Sequence, residues 1–206
     1  MDKVLIGVLG VQGAVSEHVE IMEKTLKRYN IEGSVFTVKK VDDVINVDGL
    51  IIPGGESTTI GRVTEKANLL GRIIEKAKNG IPIFGTCAGL IILAKEVYDA
   101  KIGAVNQPIL GLMNIKVIRN AFGRQRESFE VDLNIPVLGE KPFPAVFIRA
   151  PIVEKVWGNV KVLAKYEEKI VAVQEENLLA TAFHPELTED LRFHKYFLDL
   201  ILKLKK

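Results

Sequence analysis

Residues 81–93 read Ile-Pro-Ile-Phe-Gly-Thr-Cys-Ala-Gly-Leu-Ile-Ile-Leu, and they contain Cys87, the one cysteine among the 206 residues. An apolar run before Cys87 and a helical run after it predict a strand, a tight turn and a helix. Gly85 and Gly89 stand two positions either side of the thiol, where glycine permits close approach and strained backbone angles. The pattern is the thiol counterpart of the serine nucleophile elbow. Because a helix N-terminus favours the thiolate, Cys87 is a candidate nucleophile.

A buried structural cysteine would have a similar local sequence, so the thiol needs partners to settle its role. Of the three histidines, His18 in the first predicted helix is expected at the surface or its boundary, and His194 is expected to be structural. His184 ends a predicted strand and begins the motif His-Pro-Glu. Residues i and i+2 of an extended segment share a face, so Glu186 can bond one imidazole nitrogen. The other nitrogen is then free to handle the proton of Cys87, which predicts His184 as the base.

A second glycine-rich motif, Pro53-Gly54-Gly55-Glu56-Ser57-Thr58, follows a predicted strand. Adjacent glycines at such a position can aim backbone N–H groups at a developing oxyanion, which makes Gly54 and Gly55 candidates for an oxyanion hole. The amide of Ala88, directly after the candidate nucleophile, is the expected second donor. The motif lacks the Gly-Lys-Ser/Thr ending of a nucleotide-binding loop, so nucleotide binding is not favoured.

The pattern of apolar runs predicts an α/β fold with three layers: a mainly parallel sheet, helices on both faces, and antiparallel strands in the C-terminal half. The predicted strands are 3–9, 34–38, 48–52, 81–84, 114–119, 129–133, 145–148, 160–165, 170–174 and 178–182. Helices are expected from residue 15, over 60–78, after the cysteine turn, and from an N-cap at Thr188. No repeat or linker interrupts the sequence, so residues 1–206 are expected to form a single domain.

Composition excludes several classes of function. A net charge of +2, from 28 basic and 26 acidic residues, is too small for a nucleic-acid-binding surface. No apolar run reaches the length of a membrane span, and no signal peptide is recognisable. One cysteine and scattered histidines predict no metal site, no cofactor and no disulfide framework. The expected compartment is the cytoplasm.

Six motifs spread over nearly the whole chain resemble one enzyme family. They are Gly10-Val11-Gln12-Gly13-Ala14, Pro53–Thr59, Phe84–Ile91, Arg119-Asn120-Ala121-Phe122-Gly123-Arg124-Gln125, Phe147-Ile148-Arg149-Ala150-Pro151 and Phe183-His184-Pro185-Glu186-Leu187-Thr188. Together they resemble the class I, or triad, glutamine amidotransferases, and within them the PdxT-type glutaminase subunits of pyridoxal 5′-phosphate synthase. The resemblance implies a flavodoxin-like fold, hydrolysis of L-glutamine, and a synthase subunit as the partner that receives the ammonia.

Matched position by position, the resemblance implies a Cys87, His184 and Glu186 triad. It also implies that one set of residues holds glutamine: Gly55, Glu56, Ser57, Arg119, Ile148 and Arg149. A guanidinium suits the α-carboxylate of glutamine, and charge alone suggests that Glu56 meets the α-ammonium. Gln12 matches a position near the oxyanion loop at which partner docking is felt in the family. Arg124 and Arg126 are expected to face the partner or the surface.

Two segments, 27–33 and 100–108, look longer than in compact members of this family, and both are expected to lie away from the motifs. Two other functions remain open from the sequence. One is a glutaminase subunit of another amidotransferase, such as imidazole glycerol phosphate synthase. The other is a non-catalytic cysteine sensor on the same fold, which would not need the base and its orienting carboxylate.

Overall fold

The computed structural model describes residues 3–122 and 128–205, so Arg124 and Arg126 lie outside the described residues. The strands in this part of the chain are β1 (Val4–Leu9), β2 (Gly33–Val38), β3 (Gly49–Ile52), β4 (Ile83–Thr86), β5 (Ala94–Asp99), β6 (Gly103–Ala104), β7 (Met113–Arg119), β8 (Ser128–Leu133), β9 (Phe143–Ile148), β10 (Ile152–Val156), β11 (Lys161–Tyr166), β12 (Lys169–Glu175) and β13 (Leu178–Thr181). The helices are α1 (Val15–Arg28), α2 (Val41–Ile45), α3 (Ser57–Lys66), α4 (Leu69–Lys78), α5 (Ala88–Leu93) and α6 (Arg192–Leu204).

One large sheet has the strand order β2-β1-β3-β4-β13-β12-β10-β7-β5-β6, with β11 paired to β12. Strands β2, β1, β3, β4 and β13 pair in parallel, and β12, β10 and β7 continue the sheet with antiparallel pairings. Strands β8 and β9 form a separate antiparallel pair. The predicted combination of a parallel sheet and C-terminal antiparallel strands is therefore confirmed.

Helices cover both faces of the sheet around β4. The Phe84 ring lies 5.7 Å from the ring of Phe197 and 6.2 Å from that of Phe193, both on α6. A β-carbon on the next residue, Gly85, would overlap the backbone of Gly89 in α5. Since successive side chains of a strand point to opposite faces, α6 and α5 lie on opposite sides of the sheet. The predicted layering is confirmed.

The helix predicted over 60–78 is two helices, α3 and α4. Asn68 between them has a φ of 57°, in the left-handed region, which ends the α3 helix geometry and turns the chain. Apolar residues continue at helical spacing across this break, so the periodicity alone merges the two segments. Asparagine is a residue that tolerates this conformation more readily than most.

The predicted start of the last helix at Thr188 is wrong, because α6 begins at Arg192. The Thr188 hydroxyl donates to the Pro185 carbonyl and accepts from the Asp190 N–H, so it stabilises a turn before the helix. The helix after the cysteine turn ends at Leu93. Ala94 has extended backbone angles, and the chain continues as strand β5.

Sequence patterns did not predict β5, β10, the two-residue β6 or the one-turn helix α2. Strand β10 carries Glu154 and Lys155 side by side, which breaks the alternation expected of a strand. It is held between β7 and β12, with a bulge in the pairing to β7 between Val153 and Lys155. Pairing with two neighbours therefore decides its conformation, rather than its own residue pattern.

Helices α1 and α6, with 14 and 13 residues, are both amphipathic, with buried residues on one side only. A membrane-spanning helix needs about 20 mostly apolar residues. Within 3–122 and 128–205, no helix has the length and apolar character to cross a membrane.

Replacing Gly89 by alanine is expected to destabilise the fold. Its β-carbon would overlap the carbonyl oxygen of Ile52, a backbone atom of β3, so α5 could no longer dock on the sheet. The expected loss is about 1–3 kcal/mol of unfolding free energy, measured by urea denaturation. Gly71 of α4 is the matched control because nothing lies within 4 Å of a β-carbon there. Gly71→Ala should gain about 0.5–1 kcal/mol, and equal effects of the two changes would contradict this packing.

Candidate active site

The thiol is presented by a strained backbone at the end of β4. Cys87 has φ 50° and ψ −97°, and its N–H donates to the Thr181 carbonyl on β13 over 2.7 Å. The sulfur lies 3.9 Å from the carbonyl oxygen of Ile148, and the residue is 7% exposed. The predicted elbow therefore exists, and its thiol is almost completely buried.

The candidate base approaches from the neighbouring strand. The parallel pairing of Thr181 with Thr86 brings the chain after β13 alongside the elbow, and the His184 N–H donates to the Val146 carbonyl. His184 Nδ1 and Glu186 Oε1 are 2.6 Å apart, and both residues are buried. The backbone here is a short 3-10 turn over Pro185–Leu187 rather than the extended segment assumed from sequence. The predicted contact forms, although its backbone geometry differs.

The electrostatics of this pair favour an ionised carboxylate and a doubly protonated ring. Burial lowers the pKa of His184, but hydrogen bonds with the Cys87 and Glu186 side chains outweigh it and raise the pKa to about 10. Burial opposes ionisation of Glu186, yet the neighbouring His18 and the hydrogen bond from His184 hold its pKa below the usual range. A cationic ring beside a sulfur atom favours the thiolate, which is the nucleophilic form.

The Gly54–Gly55 peptide lies next to the candidate base. Its carbonyl accepts a hydrogen bond from the Ala14 N–H over 3.0 Å, so the Gly55 N–H at the other side of the trans peptide points away from that loop. A β-carbon on Gly54 would overlap the His184 ring, which explains the need for glycine. Ala88 is the first residue of α5, where amide groups lack a helical acceptor. The geometry suits the predicted oxyanion donors.

Cys87 and His184 line a cavity of about 410 Å³. Its lining contains Gln12, Gly55, Glu56, Ser57, Cys87, Ile91, Arg119, Asn120, Ile148, Arg149, Pro151 and His184. All the residues expected to hold glutamine are therefore brought to one cavity. Arg149 has a φ of 44° and is exposed, whereas Arg119 is half-buried at the far end of β7.

Gln107 is a residue that sequence reasoning missed. It lies in the segment 100–108, which was expected to lie away from the motifs, and this expectation is wrong. The buried Gln107 side chain accepts a hydrogen bond from Arg119 Nη1 over 2.8 Å and from Thr58 Oγ1 over 3.1 Å. Ser57 Oγ also donates to it over 3.3 Å. No strand or helix pattern marks this position, so only the folded chain reveals it.

The carboxylate of Glu56 has several donors. It accepts from the N–H groups of Thr58 and Thr59 and so caps α3. Burial works against ionisation, but these hydrogen bonds prevail and lower the pKa of Glu56. Its Oε1 lies 3.6 Å from Arg119 Nη2, and its own N–H donates to Gln12 Oε1 over 2.8 Å. A contact of Glu56 with a substrate ammonium stays a prediction.

His18 corrects another expectation, because it is completely buried rather than at the surface. Its Nε2 lies 2.9 Å from the Thr86 hydroxyl oxygen and 3.5 Å from Glu186 Oε2. Helix α1 turns this position toward β4 although its sequence neighbours Glu17 and Val19 are less buried. His194 is buried as well and lies against His18, in agreement with the structural position expected for it.

Metal binding has no support in the described ranges. Between residues 3 and 122 and between 128 and 205, no three His, Cys, Asp or Glu side chains are grouped so that they could hold a metal ion.

The fold is that of the class I glutamine amidotransferases. It places three features at the carboxyl edge of the parallel sheet: a cysteine at a strand–helix elbow, a hydrogen-bonded His-Glu pair and a double-glycine loop. A model of the SNO glutamine amidotransferase family matches residues 8–203. The chain belongs to that family.

Two curated relatives show how extensive the similarity is. The pyridoxal 5′-phosphate synthase subunit PdxT of Staphylothermus marinus is 51% identical over 202 residues, which cover 96% of this chain and 98% of the relative. The subunit of the same name from Moorella thermoacetica is 53% identical over 196 residues, covering 95% and 98% of the two chains.

Solved structures agree at the level of the fold. A crystal structure of a glutamine amidotransferase, 44% identical, superposes with a TM-score of 0.83 and covers 95% of this chain and 98% of its own. A glutamine amidotransferase of Thermotoga maritima is 14% identical with a TM-score of 0.57, covering 100% and 86% of the two chains. The second likeness shows the fold alone.

The positive charge of the His184 ring predicts how fast the Cys87 thiol is alkylated. Because His184 keeps its second proton up to a pKa of about 10, Cys87 should be alkylated by iodoacetamide at pH 6–7 faster than a free cysteine. His184→Asn removes the cation, so alkylation at pH 6 should slow by roughly tenfold or more and its midpoint should move to higher pH. Mass spectrometry reads the reaction at one site, since the chain has one cysteine. An unchanged pH profile would contradict the pairing.

Proposed function

We propose that this chain is the glutaminase subunit of a pyridoxal 5′-phosphate synthase. It hydrolyses L-glutamine to L-glutamate and ammonia, and the ammonia passes to the synthase subunit. The observation that carries the proposal is that Cys87 and His184 line the same cavity as Arg119, with Glu186 bonded to His184 from behind. A thiol and its base alone would suit many hydrolases. Arg119 adds a cation that can bind an α-carboxylate, the group that an amino acid with a side-chain amide, such as asparagine or glutamine, carries.

Glutamine is held at both ends. Arg119 grips the α-carboxylate, and its guanidinium is fixed in turn by hydrogen bonds to Gln107 and Thr58. Ser57 and Glu56 face the same space from the start of α3, and Arg149 and Ile148 border it from the end of β9. The carboxamide then extends toward the sulfur, where positioning lowers the entropic part of the barrier.

The first chemical step is acyl transfer to the enzyme. The Cys87 thiolate attacks the carboxamide carbon, a carbon–sulfur bond forms, and the carbonyl oxygen becomes an oxyanion. The N–H groups of Gly55 and Ala88 stabilise this charge, and one such donor contributes roughly a hundredfold to a thousandfold in rate. The His184 imidazolium gives a proton to the departing nitrogen. The carbon–nitrogen bond breaks, ammonia leaves, and a γ-glutamyl thioester remains.

The second step returns the enzyme to its starting state. Neutral His184 takes a proton from water as the oxygen attacks the thioester carbon, and the same amides hold the new oxyanion. The carbon–sulfur bond breaks, Cys87 leaves as the thiolate, and glutamate forms. Glu186 keeps the ring in the orientation that exposes the second nitrogen to these protons.

We place the partner at the rim of the oxyanion loop. Gln12 bonds the N–H of Glu56, so a protein that contacts the β1–α1 loop can shift the Gly54–Gly55 peptide through this side chain. The Ala14 N–H fixes the Gly54 carbonyl from the same loop. The proposed compartment is the cytoplasm, because a catalytic thiol needs a reducing environment.

The decisive experiment measures glutamate release from glutamine by this chain, with and without the pyridoxal 5′-phosphate synthase subunit. Release should increase at least tenfold with the partner, and Cys87→Ala should abolish it while glutamine binding stays measurable by calorimetry. The alanine variant serves as the blank because it removes the nucleophile alone.

Each other outcome would contradict a different part of the proposal. Release that ignores this partner would retain the glutaminase and refute the pathway. An active Cys87→Ala chain would refute the nucleophile. No release in either arm by a folded chain would favour the cysteine sensor.

Gln107 is expected to matter for binding rather than for chemistry. Gln107→Leu removes the acceptor that holds Arg119, so KM for glutamine should rise about tenfold, corresponding to about 1.4 kcal/mol, while kcat stays within threefold. Gln107→Glu keeps an acceptor and should stay closer to wild type. Steady-state kinetics decide this, and a fall in kcat at constant KM would contradict the assigned role.

A further inference from the structure

A row of buried polar side chains lies behind the triad, on the side away from the cavity. His18 from α1, Thr86 from β4 and His194 from α6 are all fully buried. His18 lies 3.5 Å from one carboxylate oxygen of Glu186, and His194 Nε2 lies 3.4 Å from His18 Nδ1. None of the three lines the cavity. The proposed reaction gives this row no task.

The two oxygens of Glu186 have unequal surroundings. Oε1 accepts the short hydrogen bond from His184. Oε2 is buried and makes no hydrogen bond among the described residues; the nearby His18 Nε2 lies 3.5 Å from it and 2.9 Å from the Thr86 hydroxyl oxygen. A buried carboxylate oxygen without a donor is costly, because it has lost its hydrogen bonds to water. His18 is therefore placed where this oxygen needs an N–H.

The position of the proton on His18 follows from its other neighbours. Burial, the foremost cause, lowers the pKa of His18, and burial also lowers the pKa of His194 to about 3, so both rings are neutral at pH 7. If the one ring proton of His194 is on Nε2, this N–H donates to Nδ1 of His18. The one ring proton of His18 is then on its Nε2. The His194 Nδ1 atom, which has no partner in the described residues, is then an unprotonated nitrogen. Nε2–H of His18 faces Glu186 and the Thr86 oxygen.

We infer that His18 is a positioning residue of the triad: its Nε2–H, shared between the Thr86 hydroxyl oxygen at 2.9 Å and Oε2 of Glu186 at 3.5 Å, keeps Oε1 of Glu186 aimed at Nδ1 of His184. Thr86 and His194 hold the ring in place from either end. The inference rests on the proposed glutaminase function, because it assigns His18 to the same triad.

Loss of the Nε2–H has a definite electrostatic consequence. The charged or titratable groups that act on His18 are Glu186, His184 and Glu17, with His194 packed against its ring. Glu17 is exposed and screened, so the carboxylate of Glu186 is the main electrostatic partner. Without the donor its pKa rises, a higher pH is needed to ionise it, and the acid limb of activity moves upward.

Three substitutions of His18 distinguish hydrogen-bond donation to Glu186 from a packing role. Glutamine places its amide nitrogen near the position of Nε2, whereas asparagine reaches only as far as Nδ1, and leucine has no donor. In the complex with the synthase subunit, His18→Gln should keep kcat within threefold of wild type. His18→Asn and His18→Leu should lose roughly tenfold or more at pH 7, since general acid–base catalysis contributes about 10²–10⁴. Their kcat–pH profiles should shift to higher pH, with KM unchanged within threefold.

Alkylation of Cys87 by iodoacetamide gives a second readout that needs neither substrate nor partner. His18→Asn and His18→Leu should move its pH midpoint upward, and His18→Gln should leave it in place. Thr25→Val is the matched control on the same helix, because among the described residues this buried hydroxyl bonds the Ile21 carbonyl of its own helix. It should lower stability without changing either pH profile.

The outcomes are separable. Wild-type profiles in His18→Leu would overturn the inference, as would equal losses in His18→Gln and His18→Asn. If His18→Leu does not fold, the glutamine and asparagine pair decides alone. A folded wild-type chain that releases no glutamate either with or without the synthase subunit would refute the glutaminase proposal, and the alkylation profiles would still test the contact between His18 and Glu186.

Discussion

The backbone of Cys87 is the constraint around which this structure is built. A positive φ with a side chain is a strained conformation, costing about 1–3 kcal/mol, and surrounding contacts have to maintain it. The hydrogen bond from its N–H to Thr181 ties the elbow to β13, and the absent side chains of Gly85 and Gly89 let β4 and α5 pack in contact. The same pairing of β4 with β13 delivers His184 to the sulfur. The strained Cys87 backbone, the pairing of β4 with β13 and the position of His184 therefore depend on the same contacts.

Burial sets the electrostatics of the site. A carboxylate and an imidazole that are each less than a tenth exposed interact more strongly than they would in water. Burial lowers the pKa of His184, but hydrogen bonds with the Cys87 and Glu186 side chains outweigh it and raise the pKa to about 10, while Glu186 stays ionised. Behind them two neutral histidines separate the carboxylate from the apolar core. On the substrate side, Arg119 is held by Gln107, by Thr58 and by two acidic side chains, Glu56 and Asp99. Both ends of the cavity are therefore preorganised.

Local sequence predicted the elements that carry their own signal. The central parallel strands β1, β3 and β4 are apolar runs because both of their faces are buried. The elbow and the double-glycine loop need residue types that few other structures require. The pattern failed where neighbours decide the conformation. Strand β10 is polar in its second half and exists because β7 and β12 pair with it. His18 looked peripheral because a helix position reveals its burial only when its packing partner is known.

What the sequence determined by itself was the α/β class, the cysteine elbow and the order of motifs, since each depends on residues within a few positions of one another. Tertiary structure alone decided which distant side chains meet. Gln107 reaches Arg119 and Thr58, and His18 reaches Glu186 across 168 positions of chain, the difference between their residue numbers. Such contacts depend on how helices and loops dock on the sheet, and docking is set by shape and burial summed over many residues. No local pattern encodes that sum.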